Sequence, residues 1–214
     1  AGNIIINGNK ETKAGTKIPE NADIRIKGNT CPYVSRGGYK LEKALKEFNI
    51  DVTDKICLDA GASTGGFTDC LLQNNAKSVY AVDVGYGQLD WKLRNDERVK
   101  IFERVNIRHI EFNQLYSSEN EQEADICVMD LSFISLTKVL GNIKTLLGEE
   151  KTFICLIKPQ FEAGKEHVPK SGIIKDPQIH IDVIINIKDF CNSIDLHLTQ
   201  LTYSPVKGAT GNVE

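Results

Sequence analysis

Apolar residues along this chain follow two recurring patterns, which alternate from residue 41 onward. Short apolar runs predict strands over residues 56–60, 78–83, 99–103, 124–130, 152–157 and 196–203. Apolar positions spaced three and four apart predict helices over residues 41–48, 65–74, 88–94, 135–147 and 177–194. Because strands and helices alternate with short connections, we expect an α/β fold with a doubly wound, Rossmann-like and mostly parallel sheet.

The two ends of the chain depart from this alternation. Residues 1–31 are rich in glycine, lysine and asparagine and carry two strand-like pieces, at 4–6 and 24–27. This is too little to bury a core, so we interpret residues 1–31 as the end of a small domain and residues 32–214 as the main domain. The last predicted strand, 196–203, should be antiparallel and lacks a following partner, so we expect the C-terminal strand of the sheet to be missing.

Composition limits the classes of protein that are plausible. With 214 residues and 41% hydrophobic content, the chain can bury one good-sized core. It has no run of eighteen apolar residues and no visible secretion signal, so we expect a cytoplasmic protein without a membrane partner. The six cysteines form no C-x-x-C pair, and three lie inside strand-like runs, so reduced thiols are expected and metal ligands are not.

Charge is unevenly distributed along the chain. The net charge is −3, yet residues 1–46 carry nine Lys and Arg against four Asp and Glu. A basic end on an acidic body is typical of a protein with one face toward a polyanion. A lysine-rich solvated surface would give the same count.

The most informative stretch is the first predicted strand of the main domain and the turn after it. The strand ends near Asp59, and Gly61, Gly65 and Gly66 follow in a G-x-x-x-G-G spacing that leads into a helix. A strand, glycine turn and helix are typical of nucleotide-binding α/β domains, although such a turn is often only a tight connection. A carboxylate there would repel a pyrophosphate but attract the ammonium and sulfonium groups of S-adenosylmethionine, so the pattern favours a methyl donor over a dinucleotide.

Charged residues end the other predicted strands, where ligands bind in such sheets. Asp83 lies about 20 residues beyond the glycine turn, at a position suited to the hydroxyls of an adenosine ribose, and Gly85 follows closely. Val105 and Asn106 are expected at the adenine edge. Asp130 and Lys158 form the expected reactive pair beside the sulfonium, although a surface salt bridge would explain them equally simply.

Seven segments together resemble the TlyA family. They are YVSRGGYK (33–40), LDAGASTGGFT (58–68), DVGYGQL (83–89), LRND (93–96), DLSFIS (130–135), KPQFE (158–162) and GNVE (211–214). This family comprises haemolysin-A-like ribosomal RNA methyltransferases with an S4 RNA-binding domain ahead of an FtsJ-like methyltransferase domain. The resemblance implies that residues 1–31 are the remnant of an S4 domain and that residues 32–214 are an FtsJ-like methyltransferase domain.

The resemblance also implies an activity and a set of site residues. The activity is methyl transfer from S-adenosylmethionine, which leaves S-adenosylhomocysteine, to the 2′-hydroxyl of a cytidine in ribosomal RNA. The implied catalytic tetrad is Lys40, Asp130, Lys158 and Glu214. The motifs assign donor binding to Asp59, Gly61, Ser63, Thr64, Gly65, Gly66, Phe67, Asp83, Val84, Gly85, Val105, Asn106 and Asp130. No metal is expected.

Within the tetrad, we expect Lys158 to contact the 2′-oxygen, either as base or as orienting donor. Lys40 would oppose its charge, while Asp130 and Glu214 hold both lysines. Ribosomal RNA, free or in a ribosomal subunit, would approach over loops that bear basic residues. These residues are Arg36, Lys165, Lys170 and Lys207.

Three other classes of protein compete with this interpretation. An NAD-dependent oxidoreductase would use the same fold, but Asp59 and the glycine spacing oppose it. A non-catalytic RNA-binding protein would not need Lys40, Asp130, Lys158 and Glu214. A membrane-lytic protein is disfavoured because the apolar run 181–187 is interrupted by polar residues. The oligomeric state stays open.

Overall fold

A computed structural model describes residues 4–13, 15–27, 31–117, 122–148 and 150–214. The chain forms two compact units, Ala1–Pro32 and Tyr33–Glu214. The boundary lies one residue from the predicted one. The assignment of the first unit to an S4 domain stays a prediction.

The first unit contains a small antiparallel sheet. Strand β1 (Ile4–Ile6) lies between β2 (Asn9–Glu11) and β3 (Ile24–Ile26). Strand β2 was not predicted because its residues are polar. Its signal was the Asn7-Gly8 turn, in which both residues have positive φ, since this dipeptide favours a two-residue hairpin connection.

The second unit is built on a parallel sheet. Its described strands are β4 (Ile56–Ala60), β5 (Ser78–Asp83), β6 (Val99–Glu103), β7 (Ile126–Met129) and β8 (Thr152–Cys155). They lie in the order β6-β5-β4-β7-β8, and every neighbouring pair is parallel. The predicted α/β, mostly parallel sheet is therefore confirmed. The order reverses between β4 and β7, and the carboxyl edge at that switch point is where such sheets bind ligands.

Helices connect and cover these strands. They are α1 (Gly37–Glu47), α2 (Gly66–Gln73), α3 (Trp91–Arg94), α4 (Phe112–Leu115), α5 (Leu140–Leu147), α6 (Pro159–Glu162) and α7 (Pro177–Ser193), with 3₁₀ turns at Leu136–Lys138 and Lys165–His167. Asp176 caps α7, because its side chain accepts a hydrogen bond from the N–H of Gln178 at 2.9 Å. Helix α1 begins one turn earlier than predicted, which places Lys40 inside it.

The core lies around the two central strands. All residues of β4 and β7 are buried, including Leu58, Cys127 and Met129, and α5 packs its apolar face against them. The cysteines of the described chain are free thiols, as expected. Among the described helices, none is both long enough and apolar enough to cross a membrane.

The prediction of a strand over residues 196–203 is wrong, because the structure assigns none there and the described main sheet has no antiparallel member. Residues 196–204 and the edge strand β8 line the same cavity of about 640 Å³, and no ladder joins them. The segment is fastened at its end instead, where the N–H of Ser204 donates to the backbone oxygen of Glu214 at 2.7 Å. An apolar alternating sequence forms a strand only where a partner satisfies its backbone groups.

Candidate active site

The glycine turn after β4 brings three helices together. Gly65 has a φ of +95°, and a Cβ there would lie 2.2 Å from a methyl carbon of Leu93 on α3. A Cβ on Gly66 would lie 3.0 Å from the backbone nitrogen of Gly38 on α1. Both glycines are therefore needed so that α1 and α3 can pack closely on the start of α2.

Asp59 lies in the wall behind this turn and is fully buried. Its Oδ2 accepts a hydrogen bond from Thr68 Oγ1 at 2.6 Å, while its Oδ1 is one of the buried side-chain atoms of the described residues that lack a partner. Burial raises the pKa of Asp59 to about 7, and the negative charges of Asp130 and Asp83 act in the same direction. The structure thus holds a buried carboxylate that a nearby cation would stabilise.

The residues predicted to hold an adenosine lie together at the ends of β5 and β6. Asp83 accepts hydrogen bonds from the N–H of Ser63 at 2.8 Å and of Gly85 at 2.6 Å, and its backbone oxygen accepts from the N–H of Val105 at 3.0 Å. Val84 and Asn106 are exposed beside them. Because each carboxylate oxygen can accept more than one hydrogen bond, Asp83 retains capacity for a ligand.

The four residues of the implied tetrad converge from distant parts of the chain. Lys158 Nζ lies 2.6 Å from Asp130 Oδ1 and donates to Ser132 Oγ at 2.8 Å. Lys40 Nζ lies 2.6 Å from Glu214 Oε2 and 3.5 Å from Asp130 Oδ2. Asp130 therefore accepts from both lysines, and the two lysine side chains are at most 11% exposed.

A cavity of about 610 Å³ opens over this cluster. The residues predicted as donor-binding that line it are Gly61, Ser63, Thr64, Gly66, Phe67 and Asp130. Those predicted as donor-binding that do not line it are Asp59, Gly65, Asp83, Val84, Gly85, Val105 and Asn106. All four tetrad residues line the cavity, so the structure brings the glycine turn and the tetrad to one opening.

The predicted RNA-binding residues divide into two groups. Arg36 and Lys207 are exposed and line the cavity, whereas Lys165 and Lys170 are exposed outside it. Together with Lys40 and Lys158, the lining carries four basic side chains against the two acids Asp130 and Glu214. The opening is therefore positive in a chain whose net charge is negative.

Sequence reasoning missed an aromatic pair in the cavity wall. Phe133 is 90% exposed and has a φ of +64°, an uncommon conformation for a residue with a large side chain. Its ring centroid lies 5.0 Å from that of Phe161, and both rings line the cavity. The available signal was an aromatic residue placed three positions after each member of the Asp130 and Lys158 pair.

Glu162, also missed, joins the two segments that carry this pair. Its Oε2 accepts from Ser135 Oγ at 2.5 Å, and its Oε1 accepts from the N–H of Leu136 at 2.9 Å. The loop after β7 is thereby bound to α6, the short helix that directly follows Lys158. Burial raises the pKa of Glu162, while both hydrogen bonds act against that shift.

Metal ligands do not converge within the ranges that the structure describes. No group of three His, Cys, Asp or Glu side chains there could hold a metal ion. The expectation of metal-independent chemistry stays a prediction.

A parallel sheet with a glycine turn and a charged cavity at its switch point defines the class of α/β proteins that bind nucleotides or related donors. The family model of FtsJ-like methyltransferases matches residues 33–214, so the chain belongs to the FtsJ-like methyltransferase family.

Comparison with individual proteins confirms the resemblance to TlyA proteins. YqxC of Bacillus subtilis, described as a candidate rRNA methyltransferase, is 48% identical over 214 residues, which are 100% of this chain and 75% of that protein. The 16S/23S rRNA (cytidine-2′-O)-methyltransferase TlyA of Mycobacterium tuberculosis is 39% identical over 215 residues, covering 100% of this chain and 78% of its own. The structure of a candidate hemolysin from Streptococcus thermophilus has a TM-score of 0.84 at 42% identity, covering 99% of this chain and 76% of that one.

The buried carboxylate of Asp59 predicts a pH-dependent effect of Asp59→Asn on stability. Because the pKa of Asp59 is about 7 in the folded protein against an ordinary value of 3.8, the folded wild type holds the proton more tightly. The stabilisation that this proton gives the folded wild type is complete below pH 4. As the pH rises to 7 the wild type loses it, a loss on the order of 4 kcal/mol. The neutral amide lacks this loss, so the unfolding free energy of the variant minus that of the wild type should grow from pH 4 to pH 7.

Urea denaturation at a series of pH values measures this difference. Asp51→Asn is the control. The backbone N–H of Thr53 lowers the pKa of the exposed Asp51, so the stability difference between this variant and the wild type should change with pH in the opposite direction. A difference for Asp59→Asn that does not change with pH would contradict the raised pKa of Asp59.

Proposed function

We propose that this chain is an S-adenosylmethionine-dependent 2′-O-ribose methyltransferase that acts on ribosomal RNA, with a cytidine as target. The observation that carries the proposal is that Lys40, Asp130, Lys158 and Glu214 line the same cavity as the glycine turn. The name of the Mycobacterium tuberculosis relative supports both the reaction and the substrate.

The residues around the glycine turn fit the methyl donor. Asp59 lies buried behind the turn with one carboxylate oxygen unpartnered, and its negative charge favours a donor that carries an ammonium and a sulfonium. Asp83 keeps acceptor capacity for ribose hydroxyls, and Gly61 and Gly66 let the backbone lie close to a ligand. The donor supplies an electrophilic methyl group, and the chain supplies its orientation.

The tetrad fits the acceptor hydroxyl. A lysine ammonium has three donors, and Lys158 uses two of them on Asp130 and Ser132. The remaining one is available to a ribose 2′-oxygen in the cavity, where Lys158 acts as orienting donor or, once deprotonated, as base. Holding the hydroxyl in line with the methyl group supplies much of the rate enhancement, because orientation turns a bimolecular step into an effectively unimolecular one.

The cavity wall fits a nucleotide around that hydroxyl. Arg36 and Lys207 line the cavity, where they would contact phosphates next to the target, and the exposed face of Phe133 would stack on a base. Unstacked bases resting on aromatic side chains are typical of RNA recognition.

The direct test is radiolabelled methyl transfer to ribosomal subunits and to bare ribosomal RNA, both from cells that lack the modification. We expect label on a ribose 2′-oxygen, at a position that can then be mapped. RNA binding without label incorporation would favour the non-catalytic alternative and contradict the proposal.

Lys158→Ala should abolish detectable methyl transfer. We expect kcat to fall at least 100-fold, which is the usual contribution of a positioned acid or base. Binding of S-adenosylhomocysteine, measured by calorimetry, should change little because Lys158 lies on the acceptor side. The control is Lys77→Ala, which alters a lysine at the opposite edge of the sheet, hydrogen-bonded to Gln122. Retained turnover in Lys158→Ala would refute the assigned role.

Phe133→Ala should weaken RNA binding by about 1–3 kcal/mol, the usual value of one base stacked on an aromatic ring. Phe133→Tyr should retain wild-type affinity because the ring is kept. The matched control is Trp91→Ala, since Trp91 is 78% exposed and does not line the cavity. Equal losses in the two alanine variants would contradict a stacking role.

Arg36→Gln and Lys207→Gln should each make RNA binding less dependent on salt. Each phosphate contact contributes about 0.7 to the slope of log K against log salt for a single strand, so each variant should lower the slope by about that amount. Lys188→Gln, which alters an exposed lysine on α7 outside the cavity, is the control. A slope unchanged in the first pair would contradict phosphate contacts at the cavity.

A further inference from the structure

We propose that Asp69 is a positioning residue that fastens both the Lys40 helix and the loop after β5 to the glycine turn. The role assigned to Lys40 rests on the proposed function. Asp69 lies in the first turn of α2 and touches neither the cavity nor the tetrad, so it acts through other residues.

The carboxylate of Asp69 is buried and fully engaged. Its side chain is 2% exposed. Oδ2 accepts from the N–H of Val34 at 2.8 Å, while Oδ1 accepts from Gln73 at 3.1 Å and from Lys92 Nζ at 3.2 Å. One carboxylate on α2 therefore joins the segment before α1 to the helix α3.

The contact with Val34 determines where α1 begins. The N-cap residue Arg36 makes no side-chain cap, and the hydroxyl of Ser35 accepts from the N–H of Gly37 at 3.3 Å. Asp69 and close packing add to this contact and hold the segment that precedes α1. Tyr33 packs under Gly38, and Gly37 lies against Gly66 of the glycine turn. Lys40 lies one turn further along α1, so a displaced segment at Val34 would displace its ammonium.

The contact with Lys92 places the loop that follows Asp83. Lys92 belongs to α3, which follows the loop 84–90, and the N–H of Asp90 donates to Thr64 in the glycine turn at 3.2 Å. The Lys92 side chain is 64% exposed, so this ion pair contributes little to stability. Its effect is on where the ribose-binding loop lies relative to the turn.

Substitutions can separate the two contacts. Asp69→Asn keeps one carbonyl oxygen for the N–H of Val34 but removes the charge that faces Lys92. Lys92→Met removes only the Lys92 contact, while keeping the apolar part of the side chain. Asp69→Ala removes both contacts.

Steady-state kinetics with saturating RNA test the proposal. For Lys92→Met and Asp69→Asn we expect about a 3- to 10-fold rise in the donor KM, because each variant loses one exposed charge contact. The kcat of both variants should stay within about 2-fold of wild type. For Asp69→Ala we expect the same rise together with at least a 10-fold fall in kcat, because Lys40 is misplaced. Asp189→Ala, which alters an exposed acid on α7, is the control.

Two measurements without turnover keep the test independent of the reaction. Calorimetry with S-adenosylhomocysteine should reproduce the KM pattern. Hydrogen exchange over residues 34–40 should match wild type in Asp69→Asn and Lys92→Met and be faster in Asp69→Ala. If Asp69→Ala does not fold, Asp69→Ser takes its place, since its hydroxyl is too short to reach Val34.

Two results would overturn the proposal. One is wild-type kcat in the folded Asp69→Ala variant, and the other is a fall in kcat for Lys92→Met as large as for Asp69→Ala. If the wild type itself transfers no methyl group, the proposed function fails, while the exchange and calorimetry data still decide whether Asp69 fastens the two segments.

Discussion

The carboxylate of Asp130 lies between two lysines, and the arrangement of the site depends on it. One oxygen lies 2.6 Å from Lys158 and the other 3.5 Å from Lys40, while Glu214 holds Lys40 from the far side. Without Asp130 the two ammonium groups would repel each other in a partly desolvated cavity, where such repulsion is strong. With it, the alternating charges hold both lysines at fixed positions, which a reaction that depends on orientation requires.

This arrangement is possible because β7 lies next to β4 at the centre of the sheet. Asp130 directly follows β7, and its backbone oxygen lies so close to Gly61 that a Cβ there would be only 3.1 Å away. The glycine turn and the charged cluster therefore share a wall. On the other side of the turn, Gly66 allows α1 to approach, and α1 brings Lys40. The same short glycine segment thus sets the distance between a bound donor and both lysines.

Much of this could be predicted from local sequence, and some of it could not. Strand ends are visible in an apolar run that stops at a charge, so Asp83, Asp130 and Lys158 were placed at the carboxyl edge without a structure. Lys40 and Glu214 lie in segments with no such pattern, and only the family resemblance selected them. The strand predicted over 196–203 was wrong because pairing depends on a partner, and the conformation of Phe133 depends on tertiary contacts that periodicity does not encode.

The two acids at the switch point differ in their partners, and that difference bears on the ligand. Asp130 already faces two cations, so an arriving positive charge gains little there. Asp59 is hydrogen-bonded by Thr68, keeps one oxygen unpaired, and has a pKa raised to about 7 by burial. A dinucleotide would place phosphates on the turn in front of this carboxylate and raise its energy further. A cationic donor would stabilise the ionised form, so the electrostatics of Asp59 favour a methyl donor over a dinucleotide on the same fold.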